Sequence, residues 1–303
     1  MSSLETFVHH LPSEGYFDLS HYGTITVTGV EAKKFLQGQL SCNLDEVTPT
    51  QSRLGAYCDI KGRVVALFRI LQIDQQYYLI MHNELIDVVL KILGKYAVFS
   101  RVTLSTATAF TQHLGLIGNS PPTFPQTTDE VLTQEGHTIY RAPGALPRWE
   151  ILVHTGATPT TSSPLQSSTG WEAHNILAGL PTLTQATSAL YTTHKLGLIR
   201  LNAVSFNKGC YLGQEIVART QYLGNLKGGL YWASTDAASP LTPQTELVDA
   251  DQQLIGHIIN SITLSNNTTL ILAVLKQNPN ETLTVTIANS SAQLRSSLSN
   301  EFT

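Results

Sequence analysis

Residues 205–219 read SFNKGCYLGQEIVAR and hold the densest reactive chemistry of the chain. Lys208 stands two residues before Cys210, and a cation held beside a thiol stabilises the thiolate. Gly209 and Gly213 bracket Cys210, Tyr211 and Leu212, which suits a tight turn with exposed backbone. Gln214 adds an amide donor, and Glu215 precedes Arg219 by four residues, an ion-pair spacing if a helix follows. These residues fit a partly exposed, activated cysteine on a glycine-framed loop. They fit equally a small buried cysteine beside glycines that serve only the turn.

The elements that must position this segment follow from periodicity. Thr24–Thr28 alternates as a strand, and Gly29 opens a helical stretch through Leu40 with Ala32, Phe35, Leu36 and Leu40 on one side. Val64–Ile73 and Tyr77–Met81 read as a hairpin around Asp74-Gln75-Gln76. Asn83 is placed to cap a helix whose Leu85, Val88, Val89, Ile92, Leu93 and Tyr96 form one stripe, with Val98–Leu104 a strand beyond it. Asn119–Thr128 and Thr155–Ser168 read as loops, and Thr169 with Glu172 has capping-box spacing for a short helix to Gly179. After Leu223 come short strands, Gly229–Ala233, Glu246–Val248, Leu254–Ile262, Leu270–Leu275 and Leu283–Ile287, as in a small antiparallel sandwich or barrel. The polar tail from Asn289 reads as disordered.

The chain has 303 residues, with 18 basic and 22 acidic side chains and a formal charge of −4. Charged residues are only 13%, against roughly 25% in an average globular protein. That composition excludes a coiled coil and a polyanion binder driven by bulk charge. Between Lys195 and Lys227, however, five cations (Lys195, Arg200, Lys208, Arg219, Lys227) face one acid, Glu215, a focused basic segment that would suit an anionic ligand. Cys42, Cys58 and Cys210 are odd in number and far apart, which excludes a disulfide framework and a self-contained zinc or iron–sulfur site. Cys42 and Cys58 read as packing residues. The start MSSLETFVHH lacks the pattern of a signal peptide, His9 and His10 read as solvated, and no apolar run spans a bilayer, so a cytoplasmic setting is expected.

The octapeptide Lys208-Gly209-Cys210-Tyr211-Leu212-Gly213-Gln214-Glu215 resembles the K-G-C-Y-x-G-Q-E signature of the YgfZ family. Supporting resemblances are Phe35-Leu36-Gln37-Gly38-Gln39-Leu40, Tyr57-Cys58-Asp59-Ile60-Lys61-Gly62-Arg63 and Arg148-Trp149-Glu150. The family comprises folate-binding proteins that support iron–sulfur enzymes, including tRNA-modifying ones, and is related to the aminomethyltransferase (T-protein) of the glycine cleavage system. The resemblance implies an α+β fold, a three-domain ring around a central folate-binding hole with a C-terminal antiparallel β-barrel. The implied domains are 1–50 with 106–222 (folate-binding), 51–105 (ferredoxin-like) and 223–303 (barrel). It implies tetrahydrofolate as cofactor, iron–sulfur client or assembly proteins as partners, no nucleic acid or membrane partner, and a monomer. Cys210 and Lys208 would carry the chemistry, and Glu150, His194, Lys208, Tyr211, Gln214, Glu215 and Arg219 would contact folate.

Three departures qualify this. Ala66 and Leu67 stand where the aminomethyltransferases carry a paired-Asp segment, so the transfer reaction loses its carboxylate; Asp59 survives but reads as turn-forming. The relatives' Arg–x–Glu pair is replaced by Asn175 and Leu177. Thr193-His194-Lys195-Leu196-Gly197 keeps only the histidine of the usual segment before the signature, and His194 reads as a ligand contact or a satisfied loop residue. Glu150 could accept two parallel N–H bonds from an aminopyrimidinone edge or pair with Arg148 at the surface; Trp149 reads as core. An accessory folate protein is therefore expected, against a one-carbon transferase or a scaffold that has lost its ligand.

Overall fold

The computed structural model describes residues 11–158, 161, 163–224, 227–236, 241–277, 284–287 and 290–297. His9, His10, Leu283 and Asn289 lie outside them, as do residues 159, 160 and 162 of the second loop.

Two five-stranded antiparallel sheets and a six-stranded barrel build the chain. The first sheet runs β1 (Gly15–Asp18), β7 (Phe110–Ile117), β10 (Arg148–His154), β9 (His137–Arg141), β8 (Val131–Gln134). The second runs β3 (Arg53–Cys58), β4 (Val64–Ile73), β5 (Gln76–His82), β2 (Tyr22–Thr28), β6 (Thr103–Thr106). Residues 22–28 thus enter the sheet made otherwise by 53–106. The expected hairpin is β4–β5, closed by Asp74 and Gln75, both at positive φ, as a two-residue hairpin turn requires. β4 is a near-continuous apolar run buried on both faces, interrupted by Arg69.

The barrel orders β11 (Leu230–Thr235), β14 (Thr269–Leu275), β13 (Leu254–Thr263), β12 (Glu246–Val248), β15 (Thr284–Ile287) and β16 (Ser290–Ser297). Its tightest economy is the β12–β15 seam, two residue pairs long. The tail from Asn289 is not disordered over residues 290–297. Residues 290–297 pair with both β15 and β11 and close the barrel, because β-ladder hydrogen bonds order a polar strand that has no apolar signal of its own.

Four helices complete the described residues: α1 (Ala32–Gln39), α2 (Ile86–Ala97), α3 (Thr169–Leu177) and α4 (Gln214–Leu223). Asn83 does not cap α2; it opens a single 3₁₀ turn, Asn83–Leu85, before it. The strand expected over Val98–Leu104 begins only at Thr103, after a turn. The Thr169–Glu172 capping box is absent, because Glu172 turns into the interior and α3 has no side-chain cap. No helix among the described residues is long and apolar enough to cross a membrane.

One core joins α1, the second sheet, α3, residues 183–204 and the outer face of the barrel, with Trp232, Leu270 and Leu272; the barrel interior has its own core, with Tyr231, Ile258 and Ile271. His174 on α3 is buried and donates from Nε2 to the Pro12 carbonyl at 2.9 Å. Burial and the nearby Arg148 hold its pKa down to about 4. The unfolded chain, with an ordinary histidine pKa, takes up a proton first, so this residue costs no stability above about pH 6.5 and progressively more as pH falls towards 4. At pH 4 the cost is about 3 kcal/mol. His174→Gln keeps a donor without the titration. Its stability relative to the parent, read by urea unfolding, is expected to rise by about that amount between pH 7 and pH 4.

Candidate functional site

The signature turn is built on two glycines in backbone contact. Gly213, at φ +81°, is the N-cap of α4, and a Cβ there would lie 2.4 Å from the Asp59 carbonyl oxygen and 3.2 Å from the Gly62 Cα. Gly62, at φ +71°, abuts Ile216. Asp59 folds this facing turn: its Oδ1 accepts the Lys61 and Arg63 amides, and its Oδ2 accepts the Arg63 guanidinium. It is a turn former, as its place in the sequence suggests. Gly209 needs no such freedom, since a Cβ there meets nothing within 4 Å.

Cys210 is exposed, whereas Cys42 and Cys58 are buried. Burial pushes both buried thiols up to about 12. Lys208 donates from Nζ to the carbonyls of Leu40 and Cys42, both at 2.7 Å, and lies 5.2 Å from the Tyr211 ring centre. Burial lowers its pKa to about 8, opposed by Cys42 and Asp45. Among the described contacts, Lys208 makes none with Cys210. Its ammonium ties the signature to the end of α1.

Most of the other expected ligand residues have internal partners or face solvent, and the Tyr211 hydroxyl has neither. Tyr211 is buried with its hydroxyl unpartnered, and Gln214 Oε1 accepts the Tyr211 amide. Glu215 and Arg219 are exposed, and no ion pair joins them among the described residues, although α4 supplies the spacing. His194 donates from Nε2 to Gln221 Oε1 at 3.1 Å and is buried, with its pKa lowered by that burial: a satisfied loop histidine. The basic segment does not present five free cations. Lys195 donates to the carbonyls of Lys227, Leu275 and Lys276, Arg200 to those of Ala178 and Gly179, and Lys208 as above. Three cations are thus spent on the ends of backbone elements.

A second site lies between the two sheets and the 180–183 segment. This open cleft has a volume of about 50 Å³, about 490 Å³ with the adjoining open solvent, and is walled by Leu54, Leu67, Phe68, Ile80, Met81 and Leu183, with Tyr22, Arg69, His82, Glu150 and Thr182 among its polar groups. Thr182 is pinned to the barrel by two hydrogen bonds with the Asn260 side chain, which fixes that wall. None of the signature residues lines the cleft. Leu67 on the cleft wall pairs with Ala56 on β3, two residues from the Cys58 that touches Gly213, so the two sites lie about 7 Å apart along the strand.

Glu150 is the polar anchor. Its Oε2 accepts from His113 Nε2 at 2.8 Å and from the Tyr140 hydroxyl at 2.5 Å, while Oε1 has no partner among the described residues. Burial alone would raise its pKa, but His113, Tyr140 and Arg69 outweigh it and hold the carboxyl below its ordinary value. Arg148 is not its surface partner. That guanidinium is fully buried over the Trp171 ring, donates to the Pro143 carbonyl at 2.7 Å, and leaves one nitrogen unpartnered. Trp149 is core, its indole donating to Pro125.

A second carboxylate went unread in the sequence. Glu172 Oε1 accepts from His21 at 2.9 Å and Tyr22 at 3.1 Å, and its Oε2 accepts from Asn175 and Thr182. All its lone pairs are engaged, so it braces the Tyr22 side of the cleft. Asn175 is one of its braces. His113 and Arg69, polar residues inside apolar strands, were the available signals for this region.

No family model matches the chain. Among curated proteins, the tRNA-modifying protein YgfZ of Colwellia psychrerythraea is 35% identical over 243 residues, covering 76% of this chain and 74% of that protein. The protein of the same name from Vibrio atlanticus is 29% identical over 282 residues, covering 88% of this chain and 86% of that protein. Among solved structures, the glycine cleavage system aminomethyltransferase T from Bartonella henselae superposes with a TM-score of 0.75 at 15% identity, covering 97% of this chain and 88% of that chain. The fold is that of the aminomethyltransferase T-proteins.

Proposed function

Since the chain belongs to the YgfZ family, we propose that it binds a reduced folate in the Glu150 cleft and serves tRNA modification as an accessory protein to iron–sulfur enzymes. One observation carries the folate reading: a largely buried, ionised carboxylate with one open oxygen, set in an apolar-walled cleft. An aminopyrimidinone ring needs those two things, flat apolar contact and an acceptor for its N–H edge. Tetrahydrofolate fits these residues: Glu150 would take the pterin edge, and Leu54, Leu67 and Phe68 the ring. His194, Lys208, Tyr211 and Gln214 would act by shaping the signature turn, and Glu215 and Arg219 would lie on its surface.

The transferase reading finds no support at the cleft. Ala66 is buried, and Leu67 presents an alkyl group where a carboxylate would be needed. Cys210 is the thiol offered to iron–sulfur client or assembly proteins in the cytoplasm. The Asp59–Gly62 turn beside Gly213 adds the exposed apolar side chain of Ile60 to that contact. As part of this reading the chain divides into three units as the resemblance implies, with residues 22–28 assigned to the second.

The test has two arms. Titration with tetrahydrofolate should show saturable binding that Glu150→Gln weakens at least 30-fold, the loss of about 2 kcal/mol of charge-assisted hydrogen bonding. Unchanged affinity would remove the cleft from the reading. In a strain lacking the protein, Cys210→Ser should fail to restore iron–sulfur-dependent tRNA modification; full restoration would remove the thiol.

A further inference from the structure

His82 ends β5 directly opposite Tyr22 on β2, and its side chain lines the same cleft as Glu150. Its imidazole is packed in an aromatic group, 5.8 Å from the His21 ring and 6.3 Å, edge on, from the Tyr22 ring. The Tyr22 ring in turn lies 5.6 Å from His113, the histidine bound to Glu150. Tyr22 therefore stands between Glu150 and His82, which face the cleft as two separated polar points on otherwise apolar walls. Neither is satisfied within the protein. Glu150 Oε1 is open, and both nitrogens of His82 lack a hydrogen-bond partner among the described residues.

The two ring nitrogens differ. Nδ1 is buried and lies 4.0 Å from Glu84 Oε1. No hydrogen bond joins them, but the charge of that carboxylate favours the neutral tautomer with its proton on Nδ1. Burial, with His21, lowers its pKa against the opposing pull of Glu84 and Glu172, which favours the neutral imidazole. Nε2 is left as a lone pair without a donor, at the cleft.

We infer that His82 selects the oxidation state of the ligand: Nε2 accepts a ring N–H that a reduced pteridine has and an oxidised pteridine lacks. This rests on the folate reading of the cleft. A tetrahydropteridine carries N–H groups at N5 and N8, on the ring distant from its aminopyrimidinone edge. The fully oxidised ring carries only lone pairs there. With Glu150 holding the aminopyrimidinone edge, the far ring reaches across Tyr22 towards His82. The reduced ligand gains a hydrogen bond, and the oxidised one sets a lone pair against a lone pair. A site built to pair a ligand N–H rejects the analogue without it far more strongly than an apolar site can, because the buried partner is left unpaired. Leu67, Phe68 and Met81 cannot make this distinction, since both oxidation states offer them a similar ring.

The experiment is anaerobic calorimetric titration with two probes, tetrahydrofolate and folic acid, on the full chain and its variants. The parent should prefer tetrahydrofolate by at least tenfold. His82→Phe keeps a ring in the aromatic group but removes the acceptor; it should cut the preference at least tenfold, with tetrahydrofolate bound more weakly, folic acid bound more tightly, or both. His82→Gln returns an acceptor at similar reach and should retain most of the preference, and it serves as well if the phenylalanine variant folds poorly. An unchanged preference in both variants overturns the role of His82. Glu150→Gln separates the two readings. If it weakens both probes while the His82 variants leave their ratio unchanged, only the selection by His82 fails. If neither probe binds the parent, or if Glu150→Gln weakens neither, the folate reading fails and this inference with it.

Discussion

Replacing Gly213 by alanine is expected to lower stability by about 3 kcal/mol and to abolish whatever depends on Cys210. Two costs combine. At φ +81° an alanine meets the left-handed penalty of roughly 1–2 kcal/mol. Its Cβ would also fall 2.4 Å from the Asp59 carbonyl oxygen, which is backbone and cannot swing aside as a side-chain end can. Relief requires the 59–62 turn to shift, and that turn is tied by the hydrogen bonds of Asp59 to Lys61 and Arg63. Overpacking of this kind costs roughly 1–3 kcal/mol. Gly209→Ala is the control four residues away in the same motif. It has room for a Cβ, and its φ is not left-handed, so it should change stability by less than about 0.5 kcal/mol. Urea unfolding of the two variants checks this. Equal losses would mean that the close approach of the two turns does not govern the signature.

That contrast also shows where sequence reasoning reaches. The two glycines look alike in KGCYLGQE, and only the 59–62 turn, some 150 residues earlier in the chain, tells them apart. Lys208 makes the same point. Its place beside Cys210 in sequence suggests an activating cation, yet its ammonium is used by carbonyls at the end of α1, a contact across more than 160 residues. Helix and hairpin positions were legible because their periods are local: β4–β5 and α2 lie where the apolar residues recur. The first sheet was largely illegible. β1 is four residues long and is a strand through its pairing to the distant β7, while β8 and β9, four and five residues long, form a local hairpin too short to show a period.

The cleft divides in the same way. Glu150 could be read because Arg148-Trp149-Glu150 resembles a family motif. Glu172 carried a misleading local signal, the spacing of a capping box, while its actual partners, His21, Tyr22 and Thr182, come from other parts of the chain. His21 and His82 had no signal at all, since a lone histidine at the start or end of a strand is commonplace. Buried polar groups must find partners. Which partners they find is decided by the sheet order, and that order is not written in any one segment.

Asp129→Asn is expected to destabilise the protein by about 3 kcal/mol, in the range for breaking one side of a buried ion pair. Asp129 lies in the loop before β8 and uses both carboxylate oxygens, one on Arg69 and the other on Arg53 at 2.9 Å. Arg53 has a second acid, Glu46, at 2.7 Å and an exposed route to water. Arg69 has neither. It is 7% exposed, in the centre of the apolar strand β4, and its remaining contacts are the Ser52 hydroxyl and the Tyr140 ring. The amide of asparagine keeps the shape and tolerates the residue's φ of +81°, so the variant isolates the charge. The cost is that of an uncompensated guanidinium, and removing that guanidinium as well should recover most of it. Arg69→Met with Asp129→Asn is therefore expected to be more stable than Asp129→Asn alone by at least 1.5 kcal/mol, roughly half the single-variant loss. If the double variant is instead less stable than the single, Arg69 holds the wall of the cleft through packing of its stem on Tyr140, and the ion pair is secondary. The pair has a consequence for the ligand as well. Arg69 is one of the groups that keep Glu150 ionised. The double variant, though stable, should therefore bind tetrahydrofolate more weakly at acid pH than the parent, with the loss appearing first as pH falls, because the Glu150 carboxyl is then protonated at a higher pH.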